Sequence, residues 1–309
     1  MTEKDITQAI KAEALRLGFY ACGIAPAEPV KTDAEHFRQW LSKGYQAQMK
    51  YLEDNEDKRL NPRLLVEDTR SIICVALNYY PQKRLKKEQL QFAYYAYGKD
   101  YHEVMKQKLR ALYTYIHEKL LPVSGRVFCD TAPVLERYWA QQAGLGWIGK
   151  NNQLIIPGAG SYFFLGELFI NAKLTYDSPG RNRCGNCNNC QKACPTQALE
   201  APYLLNANKC ISYLTIESRE EIPETAQEKL GKRVYGCDEC QKACPWNRFA
   251  SPNVLPELQP SEAFLDMQST DWDGLMVEEY RTLFKGSAVK RAKYEGLMRN
   301  LKALQKHSE

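Results

Sequence analysis

Long apolar runs are absent from this chain of 309 residues. None approaches the roughly 18 consecutive apolar residues of a membrane-spanning helix, so no membrane partner is expected. The chain starts with polar and acidic residues from Met1 to Asp5, unlike the basic and then apolar start of a secretory signal. A protein that is not exported keeps its thiols reduced, so disulfides are not expected either. The expected compartment is the cytoplasm, and the cysteines need another explanation.

A dinucleotide-binding fingerprint is also missing, since no G-x-G-x-x-G follows a predicted strand. Apolar, β-branched runs predict strands over 71–77, 125–129 and 163–170. Apolar residues at helical spacing predict helices over 6–17, 101–121 and 275–306. These elements alternate without a clean βαβ repeat, which argues against a Rossmann domain. Residues 1 to about 175 are predicted to form one α/β unit, with a turn-rich boundary at 177–183.

Cysteine is concentrated in one region: eight of the 11 lie between residues 184 and 244. They form the runs C-x-x-C-x-x-C-x-x-x-C-P and C-x-x-C-x-x-x-C-P, with one more cysteine between them. This spacing is typical of two 4Fe–4S clusters, in which the last cysteine of a run serves the other cluster. One set of ligands is then Cys184, Cys187, Cys190 and Cys244. The second set is Cys194, Cys210, Cys237 and Cys240.

Zinc is the main alternative for these thiols. A zinc ribbon uses two C-x-x-C pairs and stops at four ligands. A third cysteine at the same spacing and a Cys-Pro at the end of both runs favour iron–sulfur clusters instead. Cys22, Cys74 and Cys129 lie outside the pattern, and the first two are expected to be small buried residues. The cysteines therefore predict a protein that moves single electrons.

Clusters seldom act on an organic substrate alone, so the first domain should hold a second cofactor or a substrate site. Asp130 ends a predicted strand among apolar neighbours, where burial would raise its pKa and favour a protonated acid. A helix N-cap, with Pro133 in the first turn, is an equally weighted alternative for Asp130. Glycines at 144, 146 and 149 could admit a bulky cofactor or form an ordinary turn.

Several long motifs resemble the epoxyqueuosine reductase family. They are D-T-A-P-V-L-E-R at 130–137, G-W-I-G-K-N at 146–151, G-S-Y-F-F-L-G-E at 160–167, and the eight cysteines with C-I-S-Y-L-T-I at 210–216. Shorter matches lie at 49–52, 59–62, 97–102 and 290–300, so nearly the whole chain is covered. The resemblance implies reduction of epoxyqueuosine to queuosine at the wobble base of tRNA, which removes the epoxide oxygen with two electrons.

The resemblance also implies an architecture. A nitroreductase-like, cobalamin-processing-like domain of sheet and helices, with an α+β layout, would span 1–176. A ferredoxin-like domain with two clusters would span 177–256, and a basic, HEAT-like helical segment would span 257–309. Many members continue into further helical repeats, so tRNA contacts made by such repeats are expected to be reduced or absent here.

Cobalamin is the second cofactor that the resemblance implies, with Asp130 as the proton donor. The cobalamin contacts expected are Arg59, Tyr97, Asp130, Lys150, Asn151, Leu154, Ser212 and Tyr213. No Asp-x-His-x-x-Gly motif is present, so cobalt is expected to be bound without a protein imidazole. His102 is expected to serve the substrate pocket or a structural hydrogen bond.

The end of the chain is basic: residues 285–309 hold seven Lys or Arg and two Glu, a charge of +5. A phosphate-binding face and an ordinary solvated helix face are equally weighted. The expected partners are tRNA carrying epoxyqueuosine and an external electron donor such as a flavodoxin or ferredoxin, with the chain acting as a monomer. A small-molecule reductase of the reductive dehalogenase type and a plain electron carrier are the competing functions. A carrier needs neither Asp130 nor the glycine-rich motif.

Overall fold

The structure is a computed structural model that describes residues 1–306. Its strands are β1 Ala21–Pro26, β2 Ser71–Asn78, β3 Gln91–Phe92, β4 Gly125–Phe128, β5 Trp147–Ile148, β6 Leu154–Ile155, β7 Phe163–Ile170, β8 Leu199–Ala201, β9 Leu204–Leu205 and β10 Arg233–Tyr235. Its α-helices are α1 Glu3–Arg16, α2 Thr32–Ser42, α3 Glu56–Leu60, α4 Pro62–Leu65, α5 Tyr101–Tyr115, α6 Glu136–Gln142, α7 Asn189–Ala193, α8 Ile211–Ile216, α9 Glu224–Gln227, α10 Glu239–Lys242, α11 Glu262–Asp266, α12 Ser269–Asp273, α13 Val277–Leu283 and α14 Lys293–Gln305. Short 3-10 helices lie at Lys50–Leu52, Tyr94–Ala96, Ala207–Lys209, Pro245–Phe249, Pro256–Leu258 and Ala288–Ala292.

A four-stranded antiparallel sheet, in the order β1-β2-β7-β4, is the centre of the first domain. Alternate side chains of a strand point to opposite faces. Thus Ile73 and Val75 of β2 pack in the core that includes residues of α1 and α5, while Ile72 and Cys74 pack in the core that includes residues of α6. A strand covered on both faces reads as an uninterrupted apolar run. The predictions of an α+β class and against a Rossmann domain are confirmed.

The predicted elements of this domain are found with small shifts. The strand predicted over 125–129 ends at Phe128, one residue before the loop that carries Asp130. The helix predicted over 101–121 is α5, which continues as a π-helical turn over Ile116–Leu120. Its N-cap is Asp100, whose side chain accepts a hydrogen bond from the His102 backbone N–H. Helix α5 therefore begins at the residues that the site uses.

The cysteine-rich region and the C-terminal helices share one core. β3 pairs in parallel with β10, which brings Phe92 against Tyr235, Phe264 and Trp272. The fully buried Asn300 of α14 donates hydrogen bonds to backbone carbonyls of α8 and β10. The C-terminal helices therefore pack as part of the ferredoxin-like region. The domain limits at 176 and 256 stay predictions.

The C-terminal pattern predicted helix throughout 275–306, but the chain breaks between α13 and α14. Gly286 has φ +67°, a left-handed conformation that ends α13, and the Ser287 side chain then caps a 3-10 turn. Residues 307–309 of the predicted C-terminal segment lie outside the described residues. Within residues 1–306, no helix is both long enough and apolar enough to cross a bilayer.

Candidate functional site

The first set of predicted cluster ligands converges in space. Its four cysteines line one open-sided cavity together with Lys150, Arg183, Trp246 and Arg248. Trp147 donates its indole N–H to Cys184 Sγ at 3.4 Å. A donor to a ligating sulfur stabilises the negative charge of a reduced cluster. This geometry fits a 4Fe–4S cluster at these four residues.

The second set of predicted ligands also converges in space. Cys210 and Cys240 lie near enough to Cys194 and Cys237 for their charges to interact. Burial raises the pKa of Cys237 to about 12 and that of Cys240 well above its usual range. Thiols that resist ionisation in this way become thiolates when a metal takes up the charge. The four are therefore arranged as ligands and not as reactive thiols.

Disulfides and zinc are the alternatives for these cysteines. Every cysteine is a free thiol, with no disulfide between any two of them. Across residues 1–306, no group of three or more His, Cys, Asp or Glu side chains is arranged to hold a single metal ion. The assignment of two 4Fe–4S clusters rests on the spacing of the cysteines in the sequence.

The motif at 146–151 connects the first domain to both cluster loops. Lys150 Nζ donates to the carbonyl of Gly185 at 2.6 Å and to that of Cys187 at 2.8 Å. Asn151 is 3% exposed and donates to the carbonyl of Cys240 at 3.3 Å. A side chain on Gly146 would place its Cβ 2.1 Å from the carbonyl oxygen of Ile155. The glycines here allow the chain to pack on itself, which supports the ordinary-turn alternative.

The other expected cofactor contacts on this side are also engaged within the protein. Leu154 is buried in the core with α6. Tyr213 is buried, and its hydroxyl accepts a hydrogen bond from the Gln48 N–H at 3.2 Å. The backbones of Ser212 and Tyr213 donate to the Cys210 thiol. Cobalamin contact by these residues, and by Lys150 and Asn151, stays a prediction, because a residue that braces a cluster loop can also border the adjoining cofactor.

Arg59 and Tyr97 differ in what they offer a ligand. Arg59 is 7% exposed and donates through Nη2 to the Tyr51 carbonyl at 2.9 Å, while its Nε has no partner. Among the described residues no carboxylate forms an ion pair with it. A buried cation without a counter-ion suits a ligand that brings anionic or carbonyl oxygens. Tyr97 is 5% exposed, and its hydroxyl accepts a hydrogen bond from the Leu85 N–H, so its contact with cobalamin stays a prediction.

Asp130 stands at the end of β4 in a left-handed conformation, with φ +58°. Its Oδ2 accepts a hydrogen bond from the Tyr101 hydroxyl at 2.8 Å and lies 3.1 Å from His102 Nε2. His102 Nδ1 lies 2.6 Å from Asp100 Oδ1, so the imidazole bridges two carboxylates. The Asp130 side chain is 56% exposed, so its carboxyl is accessible to a ligand.

The N-cap alternative for Asp130 is wrong. Helix α6 begins six residues later, at Glu136, after Leu135. The Asp130 carboxylate bonds to residues of α5 and to no N–H of α6. Its left-handed backbone instead turns the side chain toward Tyr101 and His102.

The expected raised pKa of Asp130 is also corrected. Burial does raise the pKa of this carboxyl, but the hydrogen bonds from His102 and Tyr101 and the charges of His102 and Arg137 outweigh it, so the pKa lies below its usual value. For His102, burial lowers the pKa, but Asp100 and Asp130 raise it to about 9. At neutral pH the proton therefore resides on His102 and the negative charge on Asp130.

Two carboxyl groups that the sequence reasoning missed lie behind the Asp130 loop. Glu136 accepts a hydrogen bond from the Asp130 backbone N–H, and burial followed by the charge of Asp130 raises its pKa to about 7. Glu167 of β7 is fully buried, neither of its oxygens has a partner among residues 1–306, and burial holds its pKa well above its usual range. The signal was a single Glu inside the apolar run at 163–170.

The remaining described histidines are bonded elsewhere. His36 Nε2 lies 3.3 Å from the Tyr203 carbonyl, and His117 Nδ1 lies 2.9 Å from the Val123 carbonyl. With His102 held between Asp100 and Asp130, the described residues offer no spare imidazole as a cobalt ligand. His307 lies outside them.

Comparison with known proteins places these features in context. Residues 59–131 match the family described as "Epoxyqueuosine reductase QueG, DUF1730", and residues 183–247 match the "4Fe-4S double cluster binding domain". The chain is 44% identical over 300 residues to the epoxyqueuosine reductase of Cellulophaga algicola, covering 97% of this chain and 98% of that protein. It is 46% identical over 301 residues to that of Cyclobacterium marinum, covering 96% and 95%.

A solved structure is similar over almost the whole chain. It is a crystal structure of epoxyqueuosine reductase with a tRNA-Tyr epoxyqueuosine-modified tRNA stem loop, and it superposes with a TM-score of 0.91 at 29% sequence identity. The match covers 98% of this chain and 81% of that one. The epoxyqueuosine reductase of Streptococcus thermophilus superposes with a TM-score of 0.89 at 26% identity.

Proposed function

The chain belongs to the epoxyqueuosine reductase family, and we propose that it reduces epoxyqueuosine to queuosine at the wobble position of tRNA, the last step of queuosine biosynthesis. The observation that carries the proposal is Asp130, an exposed carboxyl held by Tyr101 and His102 in the same chain that holds two sets of four cysteines. An electron source and a proton source are thus built into one protein.

The reaction sets the requirements for the site. Removing the epoxide oxygen as water and leaving an alkene takes two electrons and two protons. The clusters supply single electrons, which suits two successive one-electron transfers. Protons must reach the departing oxygen, because an alkoxide is a poor leaving group in the absence of an acid. The residues around Asp130 have to meet that second requirement.

Asp130 and His102 form a proton-holding pair. Asp100 accepts the Nδ1 proton of His102, which directs the Nε2 proton toward Asp130. When substrate covers the open side of Asp130, loss of water favours the neutral carboxyl, and the proton can pass from His102 to Asp130 over 3.1 Å. Asp130 then donates it to the epoxide oxygen, and a second proton, taken up from solvent through the same pair, completes the water that leaves. The Tyr101 hydroxyl keeps the carboxyl oriented.

Cobalamin is the second cofactor in this proposal. When bound, it supplies a strongly reducing centre that accepts electrons from the clusters and delivers them to the epoxide carbon. The unpartnered Nε of buried Arg59 fits a carbonyl or phosphate oxygen of such a cofactor.

The partners follow from the same chemistry. The substrate is tRNA carrying epoxyqueuosine, and an external one-electron donor, such as a flavodoxin or a ferredoxin, reloads the clusters. Both cluster ligand sets and Asp130 come from a single chain, which supports action as a monomer. The cytoplasm, where tRNA is modified, is the proposed compartment. A reductive dehalogenase-like enzyme for small molecules is the alternative, and a plain carrier would need no Asp130.

The deciding experiment uses the anaerobically prepared protein with both clusters and added cobalamin. It is given a stem loop containing epoxyqueuosine and a low-potential reductant, and the nucleosides are identified by mass spectrometry. We expect conversion to queuosine, and a loss of about 10²- to 10⁴-fold in kcat for Asp130→Asn, the usual contribution of a general acid. Corrin absorption should be unchanged in that variant. Unchanged turnover in Asp130→Asn, or no conversion by the unmodified protein, would refute the proposal.

A further inference from the structure

The mouth of the first cluster site opens at the protein surface. We define the cluster-1 mouth as Lys150, Arg183, Trp246, Arg248 and Phe249 around the first cysteine set. The cavity that Cys184, Cys187, Cys190 and Cys244 line is open on one side. An electron donor outside the protein can therefore approach the first set of ligands through this opening.

The two chain segments that carry the first cysteine set contain basic residues and no acidic ones. Residues 178–199 and 241–250 contain five basic residues and no Asp or Glu: Arg181, Arg183, Lys192, Lys242 and Arg248. Lys242 pairs with Glu239 at 3.5 Å. The other four are exposed and form no ion pair with any carboxylate of residues 1–306. Their charges are therefore free to attract an acidic surface.

Aromatic residues lie within this basic rim. The Arg248 guanidinium lies 4.6 Å from the ring centre of Phe249, which is 40% exposed. Trp246 packs edge-on against Trp147, whose N–H reaches Cys184 Sγ. Arginine and exposed aromatic rings are the residues that dominate binding energy at protein–protein contacts. Here they lie directly beside a cluster ligand.

We propose that the cluster-1 mouth is the docking surface for an acidic protein that carries a one-electron group, with flavodoxin as the representative. The inference deepens the proposed function and rests on it for the presence of the cluster. A reduced protein-bound flavin gives one electron and becomes a semiquinone, while the first cluster changes from its 2+ to its 1+ state. Two such transfers supply the two electrons that the epoxide consumes.

RNA is the other polyanion that a basic surface could bind, and the charges around Asp130 favour a different part of the molecule for it. The reacting base must reach Asp130. The charge of Asp130 acts on Arg291, at the C-terminal end of the chain, and on Tyr51. The exposed Lys290 and Lys293 flank Arg291. The phosphates are therefore expected beside the C-terminal helices, which leaves the cluster-1 mouth for the electron donor.

The test measures cluster reduction without any tRNA. Arg183→Glu and Arg248→Glu are compared with Arg110→Glu, an exposed Arg of α5 with the same change in charge. The probe is photoreduced flavodoxin, mixed anaerobically with protein of verified iron content, and the bleaching of iron–sulfur absorption gives a second-order rate constant. Methyl viologen radical serves as a small reductant that needs no docking surface, and calorimetry gives the Kd for oxidised flavodoxin.

We expect each mouth variant to lower the flavodoxin rate constant about tenfold or more at low ionic strength and to weaken its salt dependence. The Arg110→Glu rate should stay within about twofold of the unmodified protein, a change too small for steering. Reduction by methyl viologen radical, which is a cation, should not become slower in the mouth variants. Unchanged rates and Kd in the mouth variants would overturn the proposal, as would an equal loss in Arg110→Glu. Loss of stem-loop binding with normal flavodoxin rates would assign the mouth to RNA. If the epoxyqueuosine assay fails while these rate effects remain, the proposed function is refuted and the docking surface is not.

Discussion

The bridging imidazole of His102 is the residue on which proton supply depends. A carboxylate that accepts two hydrogen bonds is a poor proton donor by itself, because its lowered pKa leaves it without a proton at neutral pH. Next to an imidazolium with a pKa of about 9, the same carboxylate has a proton within 3.1 Å. The pair can therefore act as an acid at neutral pH even though Asp130 alone is ionised. The function belongs to the pair and not to either residue.

This arrangement predicts a pH dependence. The folded-state pKa of His102 lies above its unfolded value, so its proton is present at neutral pH and lost as pH rises through about 9. We expect kcat to fall above about pH 9, and His102→Gln to lose this alkaline limb together with about 10²-fold or more of its rate at pH 7.5. His117→Gln is the matched control, since His117 bonds to a backbone carbonyl away from Asp130. An unchanged alkaline limb in His102→Gln would contradict the assignment.

Glu136 positions the Asp130 backbone. Its carboxyl accepts the Asp130 N–H, at a residue held in a left-handed conformation that non-glycine residues seldom adopt. We expect Glu136→Gln, which keeps an acceptor oxygen, to retain most of the activity, and Glu136→Ala to lose up to about 10²-fold in kcat through misplacement of Asp130. Single-turnover kinetics with unchanged cobalamin binding measures the effect. Equal losses in both variants would mean that the charge of Glu136 matters and not its hydrogen bond.

At the scale of elements, the loop between β5 and β6 holds the ferredoxin-like region through hydrogen bonds, and we call this loop the clamp. Lys150 reaches two carbonyls of the first cluster loop, and Asn151 reaches one of the second. Side chains from adjacent positions thus fix both cluster loops relative to the sheet. Electron transfer depends on such fixed separations, so this loop connects the fold to the reaction.

Lys150→Met tests the clamp, because methionine keeps the apolar stem and removes the ammonium. Hydrogen bonds to charged groups are worth about 1.5–3 kcal/mol each, and partial exposure of Lys150 reduces that. We expect iron release to a chelator to become about tenfold faster for one of the two clusters, which corresponds to about 1.4 kcal/mol. Lys119→Met, on the exposed π-helical turn, should release iron at the normal rate. Equal release of both clusters would point to general destabilisation.

Some of these elements could be predicted from the sequence, and others could not. β2 and β7 were predicted because a strand buried on both faces must be apolar throughout. The break between α13 and α14 was missed, because a single left-handed Gly286 interrupts a pattern whose apolar spacing continues beyond it. The position of Asp130 was predicted from the strand end. Its lowered pKa was not, because His102 lies 28 positions away in the chain and only the fold brings it near.

At the scale of the whole molecule, we propose that the acidic electron donor and the tRNA bind at different places. The cluster-1 mouth faces the electron donor, while the C-terminal basic residues adjoin the Asp130 side. Not all of those residues are available to RNA. Arg291 binds Glu217 through two hydrogen bonds, and Arg299 donates to carbonyls of Leu214, Ser218 and Glu220. The C-terminal helices are therefore partly a structural unit, and the exposed lysines are the candidates for phosphate contact.

Lys290 and Lys293 are the lysines that flank Arg291, and both are exposed. Each phosphate contact releases counter-ions, so it contributes about one unit to the slope of log affinity against log salt. We expect Lys290→Gln/Lys293→Gln to flatten that slope by about two units and to weaken stem-loop binding most at low salt. The control is Lys86→Gln/Lys87→Gln, which removes the same charge from exposed residues of the loop before β3. If both double variants flatten the slope alike, only net charge matters. If neither does, the phosphates lie elsewhere and the basic C-terminal helices are a solvated face.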